Sequence, residues 1–171
     1  KLTHLVYNPD KATNLFKDTK RVITKVFFLY VFLTSLIFIL FAISGIRLFN
    51  SFNLAMSISS TGAFLPTNDL ANLIRSPIQS IVLTIALTFS ALNIYFFYSL
   101  FSNLNTFKKH YEDFAILLAT IFFSLILFFS IENTSFLNIF TNVVSSLSNS
   151  GLTSYNPPEN FYLFFIFLTI I

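Results

Sequence analysis

Three long stretches of this chain carry no charged side chain, and they limit its possible folds more than any other feature. They cover residues 26–46, 76–107 and 114–131, which is 21, 32 and 18 residues. A helix needs about 20 apolar residues to cross the hydrocarbon core of a bilayer. The runs therefore predict spans at about 24–45, 77–101 and 114–131, and a fourth begins near Phe161 and is cut at Ile171. Charged residues make up only 10% of the chain against 55% hydrophobic ones. A soluble domain carries roughly 25% charged residues to face water, so too few are present here to coat a globule. The expected class is an all-α integral membrane protein. The chain starts at Lys1 without an initiator Met, and is expected to be a fragment of a larger protein. It has no Cys, which excludes disulfides, thiol catalysis and zinc–thiolate sites.

Lys and Arg in short loops set orientation. Lys1, Lys11, Lys17, Lys20, Arg21 and Lys25 precede the first span, and Lys108 and Lys109 lie in the 102–113 loop. The other side holds only Arg47 and Arg75. Residues 1–23 and 102–113 are therefore expected to be cytoplasmic. The basic cluster beside a span is a topology signal, and no nucleic-acid partner is expected.

The connections on the outer side are unusual. Residues 50–60, NSFNLAMSISS, have helical spacing, with Asn50 or Ser51 as a candidate N-cap. Phe52, Ala55, Met56 and Ser59 are expected on one face, and Asn53, Ser57 and Ser60 on another. Eleven helical residues reach only about 16 Å, enough to enter a membrane but not to cross it. TGAFLPTND then supplies the return, with Gly62, Pro66 and Asn68 as turn formers. The second connection is similar: Thr134 or Ser135 can cap a short helix over about 136–148, followed by SGLTSYNPP.

A shift of 89 residues places Gly62 on Gly151, Asn53 on Asn142, Ser57 on Ser146 and Ser59 on Ser148, and carries residues 26–44 onto 115–133. This predicts two units of helix, re-entrant half-helix, Gly-centred return and helix. Irregular backbone at membrane depth survives only if buried in protein or lining a watery cavity. Carbonyl oxygens at such a return can replace the hydration shell of a cation. Gly suits the narrowest turn because it accepts backbone angles that other residues avoid. Neither loop has an acid directly beside its Gly, Asp69 being seven residues on, so carbonyl dipoles are expected to select.

The stretch GIRLFNSFNLAMSISSTGAF, residues 45–64, resembles the helix–pore loop signature of the Trk/Ktr/HKT superfamily of potassium transporters. ALNIYFFYSLF is similar to the helix that follows in the second repeat of Trk-type subunits, and SSLSNSGLT to the filter loop of the third. The resemblance covers about residues 20–171. It implies four helix–pore loop–helix repeats around a pseudo-fourfold pore, two of them here: 24–101, with a pore helix at about 50–60 and filter at 60–64, and 114–171, with a pore helix at about 136–148 and filter at 149–153. Carried onto this chain, the filter residues are Ser60, Thr61, Gly62 and Ala63, then Asn149, Ser150, Gly151 and Leu152. The resemblance further implies potassium as the substrate, no cofactor, a bacterial cytoplasmic (inner) membrane location, a homodimer and a cytosolic nucleotide-binding regulatory subunit. Ala63 stands where the pattern T-G-G-F has its second Gly, and Asn149 and Leu152 also depart from it. A sodium-permeable or non-selective transporter of the same fold is therefore an alternative, and an integral membrane enzyme of lipid metabolism is a weaker one.

The remaining polar residues have simpler readings. Asn53 and Asn142 either orient the filter from behind or bond between helices. Asn93 is expected as a packing contact within a span. His4 and His110 have no second ligand at useful spacing, so no transition-metal site is expected. Glu112 and Asp113 suit a helix N-terminus. Glu132 and Glu159 are solvated loop charges or a weak cation attractor, and Tyr95, Tyr98, Tyr155 and Tyr162 are interface anchors.

Overall fold

The computed structural model describes residues 9–67, 70–97, 110–131, 134–153, 158 and 161–170. Glu132, Glu159, Tyr98, Tyr155, His4, Asn68, Asp69 and most of the 102–113 loop lie outside these residues. Among the described residues all regular structure is helical.

Helix α1 spans Pro9–Ile43, and its segment Val22–Ile43 is long and apolar enough to cross a membrane. It starts well before the expected boundary at residue 24. Pro9 suits a first helical position, and Ala12, Leu15 and the interspersed lysines are good helix formers, so the basic segment continues the helix. Gly45 ends it at φ +89. The Gly45 amide donates to Ala42 O at 3.2 Å and the Ile46 amide to Phe41 O at 3.3 Å, the paired bonds of a Schellman turn.

That turn launches α2, Leu48–Ser59, whose 12 residues reach about 18 Å. Arg47, not Asn50 or Ser51, occupies its N-cap, with no side-chain cap bond. Asn50 already lies inside the first turn, and the Ser51 hydroxyl donates to Ile46 O. The buried face also differs from the expected one. Ser51, Leu54, Ala55, Ser57 and Ile58 are buried, whereas Phe52 and Met56 are exposed. Leu54 and Ile58 pack into the cluster that α1 and the following helix share, while Phe52, half exposed, stands edge-on to the Phe38 ring.

A 3-10 turn, Leu70–Asn72, leads to α3, Pro77–Ala91. A capping box opens α3: Ser76 Oγ accepts from the Gln79 amide and Gln79 Oε1 accepts from the Ser76 amide. Its 15 residues reach about 22 Å. The predicted unbroken span 77–101 is thus corrected: helix stops at Ala91, and helical backbone resumes over 94–97.

A carboxylate from the next helix caps this break. Asp113 Oδ1 accepts the Asn93 amide at 2.8 Å, and Asn93 Oδ1 accepts the Tyr95 amide at 3.0 Å. Asn93 is therefore a capping residue at an interruption, not a contact within a span. Asp113 is buried, 3.3 Å from His110 Nδ1, and the Phe96 ring stands edge-on to His110 and Phe114. Asp113→Ala removes the acceptor of the Asn93 amide, a part-buried bond, and is expected to cost about 0.5–1.5 kcal/mol. Asp113→Asn, which keeps an acceptor, is expected to cost clearly less. Thermal unfolding of the detergent-solubilised protein checks this.

Helix α4, Tyr111–Ser130, is the second helix long and apolar enough to cross a membrane. Helix α5, Phe136–Leu147, is capped by the Ser135 hydroxyl as expected, and α6 covers Tyr162–Ile170. Two apolar clusters form the interior. The first joins Ile37 and Phe41 of α1, Leu54, Ala55 and Ile58 of α2, and Leu83, Ala86 and Leu87 of α3, and takes in Val144 of α5. The second joins Leu127 and Ile131 with Ile139 and Val143 of α5 and Leu168 of α6. Helix α5 therefore serves both halves.

A buried polar contact marks the same seam. Thr84 Oγ1 of α3 and Thr141 Oγ1 of α5 lie 2.6 Å apart, and each also lies within bonding distance of a carbonyl one turn back, Ser80 O and Leu137 O. With two hydroxyl protons for three contacts, one hydroxyl donates across the seam while the other keeps its own helix carbonyl. A double-mutant cycle with Thr84→Val and Thr141→Val is expected to show coupling of about 0.5–1.5 kcal/mol, in the range of interhelical hydrogen bonds in membranes.

Candidate functional site

The short helices α2 and α5 end alike. Ser60 and Ser148 are the C-caps. The Thr61 amide donates to Ile58 O at 3.1 Å and the Gly62 amide to Ser57 O at 2.9 Å; the Asn149 amide donates to Ser146 O at 3.1 Å and the Ser150 amide to Ser145 O at 3.0 Å. Both are Schellman turns, and every pair is related by 88 residues. The helices themselves, Leu48–Ser59 and Phe136–Leu147, are related by the same 88.

This corrects the repeat register by one residue. The expected shift of 89 set Gly62 on Gly151. The backbone instead sets Gly62 on Ser150 and Ala63 on Gly151. A shift of 88 also aligns four identities, Asn50 with Asn138, Phe52 with Phe140, Ser57 with Ser145 and Ser60 with Ser148. Asn53 then corresponds to Thr141, not Asn142. Its amide donates to Phe49 O of its own helix at 2.8 Å, so it braces α2, while Asn142 is buried in α5.

The backbone after each helix alternates in hand. Thr61 and Ala63 have φ +50 and +55, and Asn149 and Gly151 have φ +54 and +62. Gly62 and Ser150 stay outside the left-handed region. Gly62, expected at the strained turn, is thus not the residue that needs glycine's freedom. Ala63 takes that conformation despite its methyl, as does β-branched Thr61, each at a cost of about 1–2 kcal/mol. The Thr61 hydroxyl bonds Ser60 O at 2.8 Å.

The four left-handed residues are exposed, and Ser150 and Leu152 are buried. The two loops meet at their equivalent positions: a Cβ built on Gly151 would lie 3.2 Å from the Ala63 Cβ. Leu152 anchors the second loop by packing into the cluster formed by α1, α2 and α3. All eight predicted site residues therefore lie on two similar turns that come together at Ala63 and Gly151.

Behind the second turn, three serines bond one another. Ser145 Oγ and Ser150 Oγ are 3.1 Å apart, and Ser148 Oγ donates to Ser150 Oγ at 3.0 Å. The equivalent positions of the first turn are Ser57, Ser60 and Gly62. With no hydroxyl at position 62, the Ser57 Oγ is buried without a hydrogen-bond partner. The repeat and the filter pattern point to Ser57, Ser60, Ser148 and Ser150; Ser145, which completes the bonded trio, carries no signal beyond its place in the run SSLSNS, residues 145–150.

Residues 48–64 and 136–152 contain no charged or titratable side chain. Backbone carbonyls, hydroxyls and the Asn149 carboxamide are what this site can offer, and such hard oxygen donors suit alkali and alkaline-earth cations. Comparison with family models, with curated proteins and with solved structures finds no match.

Proposed function

We propose that the chain belongs to a membrane transporter of monovalent cations, potassium first, in which α2 and α5 are pore helices and residues 60–64 and 149–153 are re-entrant filter loops. The observation that carries this reading is the apposition of two turns of alternating hand at Ala63 and Gly151. Alternating the sign of φ swings successive carbonyls toward one side of the strand, as a row of oxygens along an ion path requires. The absence of charged groups from both loops suits dipolar rather than carboxylate selection. The long exposed apolar faces of α1 and α4, including Phe27, Phe28, Phe32, Phe122 and Phe129, suit lipid or further helices better than water.

With the resemblance to Trk/Ktr/HKT transporters, the proposal extends to four such loops around one pore, a multi-pass protein of the bacterial inner membrane with residues 1–23 and 102–113 cytoplasmic, a homodimer, and a cytosolic nucleotide-binding regulatory subunit. It involves no catalytic step. Sodium permeation is a second reading, favoured by the Ala63 methyl where the equivalent position has Gly151. Rubidium uptake by cells lacking their own potassium uptake systems tests the proposal, using the full-length protein. Uptake restored and competed by potassium supports it, and sodium competing equally supports the second reading. Properly inserted protein that moves neither ion overturns both.

A further inference from the structure

A second polar feature lies away from the loops. Where α1 ends and α3 begins, a cavity of about 370 Å³ is lined by Arg47, Asn50, Thr67, Asn72, Arg75 and Gln79 among others. That volume is within the usual range of ligand sites. Arg47 and Arg75 are the only basic residues between Lys25 and Lys108, and both face this one space. Among the described residues no acid lines it.

Its frame is built in advance of any ligand. Gln79 accepts the Arg75 and Ser76 amides at 2.8 and 3.2 Å and donates to Ser44 O at 3.2 Å, tying the start of α3 to the end of α1. Arg75 Nε donates to Asn72 O at 3.1 Å, which orients its guanidinium; the Nη groups take no part in that bond. Arg47 sits at the N-cap of α2, where a cation meets the positive end of the helix and is disfavoured. Neither α2 nor α3 has an acid in its first turn to offset it. Two permanently charged forks lining one polar hollow, with no acid among the described lining residues, suit the charge and the hydrogen-bonding capacity of a phosphate oxyanion.

We infer that this cavity binds a phosphate group, supplied by the headgroup of an anionic phospholipid. The source rests on the membrane reading above, under which the hollow, at the end of one proposed span and the start of another, would lie among the lipid headgroups. Occupancy would also cancel a positive potential that otherwise opposes cations approaching from that side.

The full-length protein, purified in a neutral detergent, tests this by native mass spectrometry and thermal unfolding with phosphatidylglycerol, phosphatidylcholine or inorganic phosphate. Wild type is expected to retain phosphatidylglycerol over phosphatidylcholine by about tenfold or more, and to melt several degrees higher with it. R47Q/R75Q should lose that preference, and R47K/R75K should keep part of it. Inorganic phosphate should displace the lipid. If phosphate alone gives the full shift and phosphatidylglycerol adds none, the site chemistry stands and the lipid source falls. Equal retention of the two lipids with no response to phosphate overturns the inference, and this is read on wild type alone should a variant fail to fold. Binding is measured without transport, so failure of the cation reading leaves the result legible.

Discussion

Gly151→Val is expected to reduce rubidium uptake by the full-length protein to the background of cells without an uptake system, while the protein still reaches the membrane. A β-branched residue at φ +62 costs about 1–3 kcal/mol, and its Cβ would stand 3.2 Å from Ala63 Cβ, with two more methyls to place. The second loop cannot retreat freely, because Leu152, next in sequence, is fixed in the first core. The matching change at Gly62 should be far milder. Gly62 is outside the left-handed region, and the nearest atoms to a Cβ there belong to the side chains of Ser60 and Phe64, at 3.0 and 3.1 Å. Gly62→Ala is therefore expected to retain most transport.

A sharper version exchanges the methyl between the two loops. Gly151→Ala alone sets two methyls against each other and should impair transport. Ala63→Gly with Gly151→Ala restores one methyl and one hydrogen at the same contact, and should recover a large part of the loss. Recovery separates a steric effect at the Ala63–Gly151 contact from general misfolding, and its absence would count against that contact.

The second large effect concerns the serines behind the loops. Ser150→Ala is expected to destabilise the protein by about 1–3 kcal/mol, because Ser145 Oγ then loses its bond and stays buried. This makes the second turn resemble the first, where Ser57 Oγ already lacks a partner. The reciprocal change, Gly62→Ser, supplies a hydroxyl near Ser60 Oγ and should be neutral or stabilise by up to about 1 kcal/mol. Thermal unfolding in detergent reads both. A Gly62→Ser protein that melts well below wild type would show that the two turns are not equivalent in packing.

Much of the helical layout was open to inspection in the sequence. The charge-free runs predicted α1 and α4 because apolar length and the absence of charge are local properties. Ser135 was recognisable as a cap for the same reason, since its hydroxyl reaches an amide three residues away. The break in α3 was hidden. The amide at Asn93 is capped by a carboxylate 20 residues distant in sequence, Asp113, and no local pattern near Asn93 reports that bond. The buried face of α2 was misassigned because Phe52 and Met56 are as apolar as Leu54 and Ile58, and only the positions of the neighbouring helices choose between them.

Composition and period are enough to make the described chain helical, to make two helices long and apolar enough to cross a membrane, and to end two shorter ones in small polar residues. Those properties depend on composition and period within one segment. The register of the two turns, and the residues that meet between them, follow from contacts between segments. Shifts of 88 and 89 each align several identities, and it is the bonds from Gly62 to Ser57 and from Ser150 to Ser145 that select 88. The packing of Val144 and Leu152 into the first core then brings Gly151 against Ala63, rather than against the glycine that shares its name.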